Sequence, residues 1–234
     1  MRSLVVSLGG SVLVPSVESN TIAAYAKVLR GIAEWTSLFV VVGGGGEARR
    51  YIGAARTLGL DSGTADEIGI RVTRLNAALL AACLGDAAWP DVPKDISAAL
   101  AASRTGKIVV MVGVTPGQTT DAVAAVLAER SGASLLVNLT SVDGIYSTDP
   151  RKDPRAERFS RITHDRLVSL IAGARLDAGA NTVIDLVAAK VLERSGIPLL
   201  VLDGRDPDTL YRAVCTGSYD GTLVSRGDSP PLPL

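Results

Sequence analysis

The sequence predicts a three-layer α/β/α sandwich around a mainly parallel sheet. Short β-branched runs recur at residues 4–8, 38–42, 108–112, 135–139 and 199–202. Alanine-rich segments of helical period separate them, as expected when buried parallel strands are covered on both faces by crossover helices. Hydrophobic residues make up 47% of the 234, enough for one sizeable α/β core and too few for two ordinary domains. The expected unit is therefore one domain over residues 1–226, followed by a tail at 227–234 whose Pro230, Pro231 and Pro233 predict no fixed structure.

Each element follows from its own signals. The first run ends on Gly9-Gly10-Ser11, and the second on four consecutive glycines, Gly43 to Gly46, with Arg49 and Arg50 in the next helical turn. Ile68, Val72, Leu75, Leu79 and Ala82 step along one helix face, and Asp66-Glu67 is expected just before that helix, where its dipole favours negative charge. The third run leads through Gly113 to a helix that starts near Thr119-Thr120-Asp121 and stops at Ser131-Gly132. A further helix runs from Asp185 to Ser195-Gly196, with Ala180-Asn181-Thr182 ahead of it. Between the fourth run and that helix, residues 146–161 carry Asp149-Pro150 and Asp153-Pro154 and read as a surface loop or flap between two halves of the sheet.

Composition excludes several classes. Lys plus Arg and Asp plus Glu both number 24, so no global field attracts nucleic acid or an anionic membrane. Aromatics are 4%, too few for a base-stacking platform. No apolar run approaches the roughly 20 residues of a membrane span, and the N-terminus lacks the pattern of a signal peptide, so a cytoplasmic protein is expected. Cys83 and Cys215 lack metal-ligand spacing and read as small hydrophobes. His164, the lone histidine, opens an expected surface helix and reads as structural.

Three glycine-rich turns follow strands, and in a parallel sheet they converge on one crevice at the strand carboxyl ends. Glycines let backbone N–H groups approach phosphate, and a helix N-terminus adds its positive dipole end. Arg49 is placed to clamp phosphate oxygens, whereas Arg50 fits a solvated face better. The stretch Thr115-Pro116-Gly117-Gln118-Thr119-Thr120-Asp121 suits a phosphate or a base edge, or equally an N-cap with spare donors. Asp143 reads as a residue beside Mg²⁺ or a cation, or as a turn aspartate. Tyr146 reads as a base-packing ring or a loop tyrosine. Asp66 is a dipole partner or an acceptor for ribose hydroxyls. No metal-binding motif occurs, so Mg²⁺ is expected to arrive through phosphates.

These stretches resemble the amino acid kinase superfamily and, within it, the archaeal type of UMP kinase. The matching residues include Ser7-Leu8-Gly9-Gly10-Ser11, Val42-Gly43-Gly44-Gly45, Ala48-Arg49-Arg50-Tyr51-Ile52, Asp66-Glu67-Ile68-Gly69-Ile70, and Thr73-Arg74-Leu75-Asn76-Ala77. They continue through Pro116-Gly117-Gln118-Thr119-Thr120-Asp121-Ala122-Val123-Ala124-Ala125, Val142-Asp143-Gly144-Ile145-Tyr146, and Asp185 with Ala188-Ala189-Lys190. The resemblance implies transfer of the ATP γ-phosphoryl group to UMP, Mg²⁺, and a hexamer built from dimers. It puts the acceptor nucleotide in about residues 1–130 and ATP in about 131–226. UMP would lie against Gly44, Asp66, Val114, Thr115, Pro116, Gly117, Gln118, Thr119 and Thr120. ATP would contact Gly9, Gly10, Gly45, Arg49, Thr140, Tyr146 and Asp149. Asp143 and Asp185 match acidic positions that organise metal and positive charge. Many superfamily members carry a charge-stabilising lysine where this chain has Ser7, as archaeal-type UMP kinases do not. Arg49 and Lys190 are the candidates to replace it.

Phosphoryl transfer asks for alignment and charge neutralisation, which fits the lack of a general base or nucleophile. Rival readings are a superfamily kinase acting on carbamate, an amino acid carboxylate or isopentenyl phosphate, and a non-catalytic nucleotide- or oxyanion-binding protein on the same fold. A dinucleotide-binding domain fits less well, because Asp66 precedes a helix instead of ending a strand. No P-loop motif occurs.

Overall fold

The computed structural model describes residues 2–150, 152–174, 183–227 and 232–234. Its strands are β1 (Ser3–Leu8), β2 (Ser37–Val42), β3 (Val109–Met111), β4 (Leu135–Thr140), β5 (Ile145–Tyr146), β6 (Arg158–Phe159), β7 (Arg161–Ile162), β8 (Leu199–Asp203) and β9 (Gly221–Val224). Seven of them form one sheet in the order β3-β2-β1-β4-β8-β9-β7, and β5 and β6 pair as a separate antiparallel ribbon. Within the large sheet only β8 and β9 run antiparallel. The helices are α1 (Gly10–Leu13), α2 (Ile22–Ala33), α3 (Gly45–Thr57), α4 (Ser62–Leu84), α5 (Ile96–Ser103), α6 (Thr120–Ser131), α7 (His164–Ala174), α8 (Leu186–Ser195) and α9 (Asp208–Thr216).

The expected sandwich is present. Alternate residues of β1 point to opposite faces, and both faces are apolar because both are covered. Leu4, Val6 and Leu8 pack with Tyr25, Leu29 and Ile32 of α2, Leu80 of α4 and Leu210 of α9. Val5 packs on the other side with Val123 and Leu127 of α6, Leu167 of α7 and Leu192 of α8. The chain builds β1, β2 and β3 toward one edge and then returns to place β4 on the other side of β1. The order therefore reverses at β1, and the crevice outside its carboxyl end is where an open α/β sheet takes a ligand.

Several expectations change in detail. The Asp61 carboxylate caps α4 by accepting from Thr64 N at 3.0 Å, so the helix starts at Ser62 and Asp66 lies in its second turn instead of before it. The third strand is three residues long, and β9 went unread because an antiparallel strand next to the edge lacks a long β-branched run. Residues 146–161 hold the second half of the β5–β6 ribbon. The tail is not wholly without structure: Leu232 is buried in the core and Leu234 N donates to Val214 O at 3.1 Å. The segment Ala180-Asn181-Thr182 lies outside the described residues.

His164 does open α7, but its ring is buried, with Nε2 at 2.8 Å from Ile197 O. Burial holds its pKa below the ordinary value, so the folded ring stays neutral and the unfolded chain takes up the proton first as pH falls below about 6.5. That makes His164 a structural residue with a stability cost in acid. By length and composition, residues 62–87 form a helix able to cross a membrane. In this fold Ala65, Gly69, Val72, Ala77, Leu80 and Leu84 make its buried stripe, and α4 packs against α2 and α3 as a core helix.

Candidate active site

The turns after β1 and β2 meet backbone to backbone. A Cβ on Gly10 would fall 2.2 Å from Gly45 N and 2.4 Å from Gly43 O, and Gly45 has φ +64°, which side chains avoid. Asn76 Nδ2 from α4 ties the second turn by donating to Gly43 O at 3.1 Å. Gly43, Gly44 and Gly45 are thus first a packing requirement, a reason the sequence alone did not supply, whereas a Cβ on Gly46 would meet nothing nearer than Pro15 O at 3.8 Å. The turns also leave donors: among the described residues the N–H groups of Gly10, Ser11, Gly45 and Gly46 have no acceptor within the protein, and no side chain caps α3. We expect Gly10→Ala to lower stability by more than about 3 kcal/mol, because both colliding groups are backbone and cannot swing away. A thermal melt within a degree of the wild type would contradict this.

A cleft of about 280 Å³ opens beside these turns, between α3, α4 and the loop into α6. Ile52, Gly69 and Ile70 form its apolar wall, and Asp66, Thr115, Gly117, Gln118, Thr119 and Thr120 form its polar side. The loop is pinned across the cleft where Gly117 N donates to Asp66 Oδ2 at 2.9 Å. Val114 and Pro116 belong to the same loop without lining the cleft.

Two helix N-termini face each other at the end of this cleft. Thr119 Oγ1 caps α6 by accepting from Ala122 N at 3.0 Å, and the same hydroxyl donates to Asp185 Oδ2. Asp185 caps α8, its Oδ1 accepting from Val187 N at 2.7 Å and Ala188 N at 3.0 Å. Beside them stands Asp121. Its Oδ1 accepts from Ser7 Oγ at 2.8 Å, and its Oδ2 has no protein partner among the described residues. Burial, and after it the nearby charge of Asp185, push its pKa up to about 6, against the opposing pull of the Ser7 hydroxyl. Ser7, where a lysine was missed, is thus a buried partner of a carboxylate.

The third group lies beyond β4. Thr140 O accepts from Gly204 N at 2.8 Å, and Tyr25 OH holds the same loop by donating to Gly204 O at 2.5 Å. Tyr146 OH donates to the Asp143 carboxylate at 3.0 Å, and Arg158 Nη1 donates to it at 2.8 Å. Asp149 sits in the turn of the ribbon, its carbonyl accepting from Lys152 N at 2.9 Å.

The structure brings most expected residues to one sheet edge: Gly9, Gly10, Gly44 and Gly45 in the paired turns, the 115–120 loop with Asp66 in the cleft, and Asp185 between. Arg49 is exposed in the second turn of α3 and has no partner among the described residues, while Arg50 pairs with Glu47 at 2.9 Å as expected of a solvated face. Lys190 is exposed on α8 and paired with Glu193 at 2.8 Å. Asp143 is engaged by Arg158 and Tyr146. Sequence reasoning gave no role to Asp121, Asn76 or Arg158. Asp121 stood inside a quoted motif, and its place two residues beyond the cap was the available signal.

Residues 2–203 match the amino acid kinase family. The chain is 62% identical to the uridylate kinase of Methanoculleus marisnigri over the whole of both chains, and 56% identical to that of Methanospirillum hungatei over 100% of this chain and 99% of the other. The crystal structure of uridylate kinase from Archaeoglobus fulgidus superposes with a TM-score of 0.86 at 43% identity, covering 96% of this chain and all of that one. UMP kinase from Ureaplasma parvum, at 22% identity, TM-score 0.79, and covering 96% of this chain and 99% of that one, shares the fold.

Proposed function

The chain belongs to the amino acid kinase family, and we infer that it is a nucleoside monophosphate kinase that transfers a phosphoryl group from ATP to UMP. The observation that carries this reading is the Thr119–Asp185 contact. It joins the N-termini of α6 and α8 between an acceptor cleft and a pair of glycine turns, so two positive helix ends converge where phosphoryl charge must pass.

In the proposed arrangement UMP occupies the cleft, with Asp66 toward its ribose and Gly44 and residues 114–120 around its phosphate. The ATP phosphates lie over Gly9, Gly10 and Gly45, Thr140 stands beside them, and Tyr146 and Asp149 meet the nucleoside. Arg49 neutralises charge on the transferring group. Lys190, tied to Glu193, is the weaker replacement for the lysine absent at Ser7. No general base is required, since positioning and charge pairing supply the rate.

Among the described residues no cluster of three carboxylates, histidines or cysteines could hold a metal alone. Asp121 with its unpartnered oxygen and Asp185 are nevertheless hard oxygen donors that fit Mg²⁺ shared with phosphates. Bound there, the ion would offset phosphate charge. Asp143, held by Arg158, belongs in this reading with the ATP ribbon.

Pyrimidine nucleotide synthesis as the context and a cytoplasmic location belong to the same proposal. So does a homo-oligomer, supported by exposed apolar residues Tyr51, Leu58, Leu60, Leu75 and Leu79 on and between α3 and α4. A monomeric native mass would remove the oligomer. The substrate reading is tested by ADP release with every nucleoside monophosphate, carbamate, aspartate and isopentenyl phosphate in parallel. UMP is expected to give the highest kcat/KM, and any other acceptor ranking above it would overturn the assignment.

A further inference from the structure

We propose that Arg158 is a positioning residue for the ATP site, acting on Tyr146 through Asp143 without touching the nucleotide. Its guanidinium joins three segments. Nη1 donates to the Asp143 carboxylate at 2.8 Å and to the Asp143 carbonyl at 3.2 Å, and Nη2 donates to Asp220 in the turn before β9. Asp143 is in turn the acceptor for the Tyr146 hydroxyl, so Arg158 sets where the ring points.

The β5–β6 ribbon pairs Ile145 with Phe159 and Tyr146 with Arg158, with Ser147 N donating to Glu157 O at 2.9 Å beyond them, and is too short to hold its own place. Side chains help to hold it. Thr222 Oγ1 accepts from Ile145 N at 2.8 Å and donates to Phe159 O. Gly144, at φ +156°, lies so close that a Cβ would fall 2.7 Å from Thr222 Oγ1 and 2.9 Å from Arg158 Cδ. Arg158 is 29% exposed in its side chain, partly withdrawn from solvent, and its fork serves two carboxylates and a carbonyl at once, which a lysine ammonium on a flexible stem cannot reproduce.

The inference rests on the reading that ATP lies against Tyr146 and Asp149, and the experiment separates the two. Steady-state KM values for ATP and UMP are measured for Arg158→Ala, Arg158→Lys, Asp220→Asn and Tyr146→Ala. Arg158→Ala is expected to raise KM for ATP about tenfold or more while kcat and KM for UMP change less than about twofold. Arg158→Lys and Asp220→Asn, each leaving one tie, are expected to show smaller rises in KM for ATP alone. A rise with Tyr146→Ala but none with the Arg158 variants overturns the role of Arg158 and leaves the ATP site standing. No rise with Tyr146→Ala overturns the ATP-site reading and this inference together. Parallel losses in both KM values and kcat would mark Arg158 as a general structural residue, again overturning the inference. Should Arg158→Ala not fold, Arg158→Lys and Asp220→Asn decide, and unchanged KM for ATP in both overturns it.

Discussion

Arg49→Ala is expected to lower kcat/KM by about two to three orders of magnitude, a few kcal/mol of lost charge pairing in the transition state. The expectation comes from where the residue stands. It projects from the second turn of α3, whose first turn begins at Gly45 in the paired glycine turns, and it has no partner among the described residues. A guanidinium with no structural bond to lose should leave the melting temperature unchanged when removed, so the loss of rate would report on charge alone. Arg50→Ala is the internal control. Its side chain is exposed and paired with Glu47 at i,i+3, a contact of the kind that contributes little, and near-normal kinetics are expected. Equal losses in both variants, or a near-normal Arg49→Ala enzyme, would remove Arg49 from the mechanism.

The second large effect is expected at Asp121, with opposite signs for activity and stability. Its carboxyl is raised to about 6 from an ordinary value of 3.8. Between these two values the folded state binds the proton that the unfolded chain has released, so stability falls as pH rises from about 4 to 6 and stays lowered above that. The penalty for keeping the charge at neutral pH is up to about 3 kcal/mol by the shift alone. Asp121→Asn removes that charge and keeps an acceptor for Ser7 Oγ. The variant should melt several degrees higher at pH 7, with the difference vanishing near pH 4, while kcat/KM drops by about two orders of magnitude. A carboxylate retained at such a cost fits a site that needs its charge. A destabilised variant, or a stabilised one with full activity, would show that Asp121 is structural or idle.

Much of this fold was legible in the sequence because its signals are local. Five β-branched runs, the Thr119 and Gly132 boundaries of α6 and the Asp185 and Gly196 boundaries of α8 follow from burial periodicity and capping, which act over a few residues. The β5–β6 ribbon and β7 were illegible for the same reason, since two-residue strands carry no period and are held by distant groups such as Thr222. Asp66 was misplaced by one helical turn because the cap at Asp61 outranked the apolar pattern that began at Ile68.

The candidate site divides along a similar line. The converging glycine turns, the 115–120 loop and the shared edge of the sheet could be inferred, because a parallel sheet puts every strand's carboxyl end on one side. Which side chains meet there could not. Ser7 and Asp121 are 114 residues apart, Thr119 and Asp185 are 66 apart, and Gly10 touches Gly43 across two strands. By itself, the sequence determined an α/β layer structure and led to the expectation of a phosphate crevice at the strand carboxyl ends. Only the tertiary structure decided that three of the four glycines, Gly43 to Gly45, are needed for packing, that Asp143 is held by Arg158, and that Asp121 carries a costly charge beside Asp185. Local patterns specify elements, whereas contact, burial and the pKa values that follow from them exist only once distant segments are brought together.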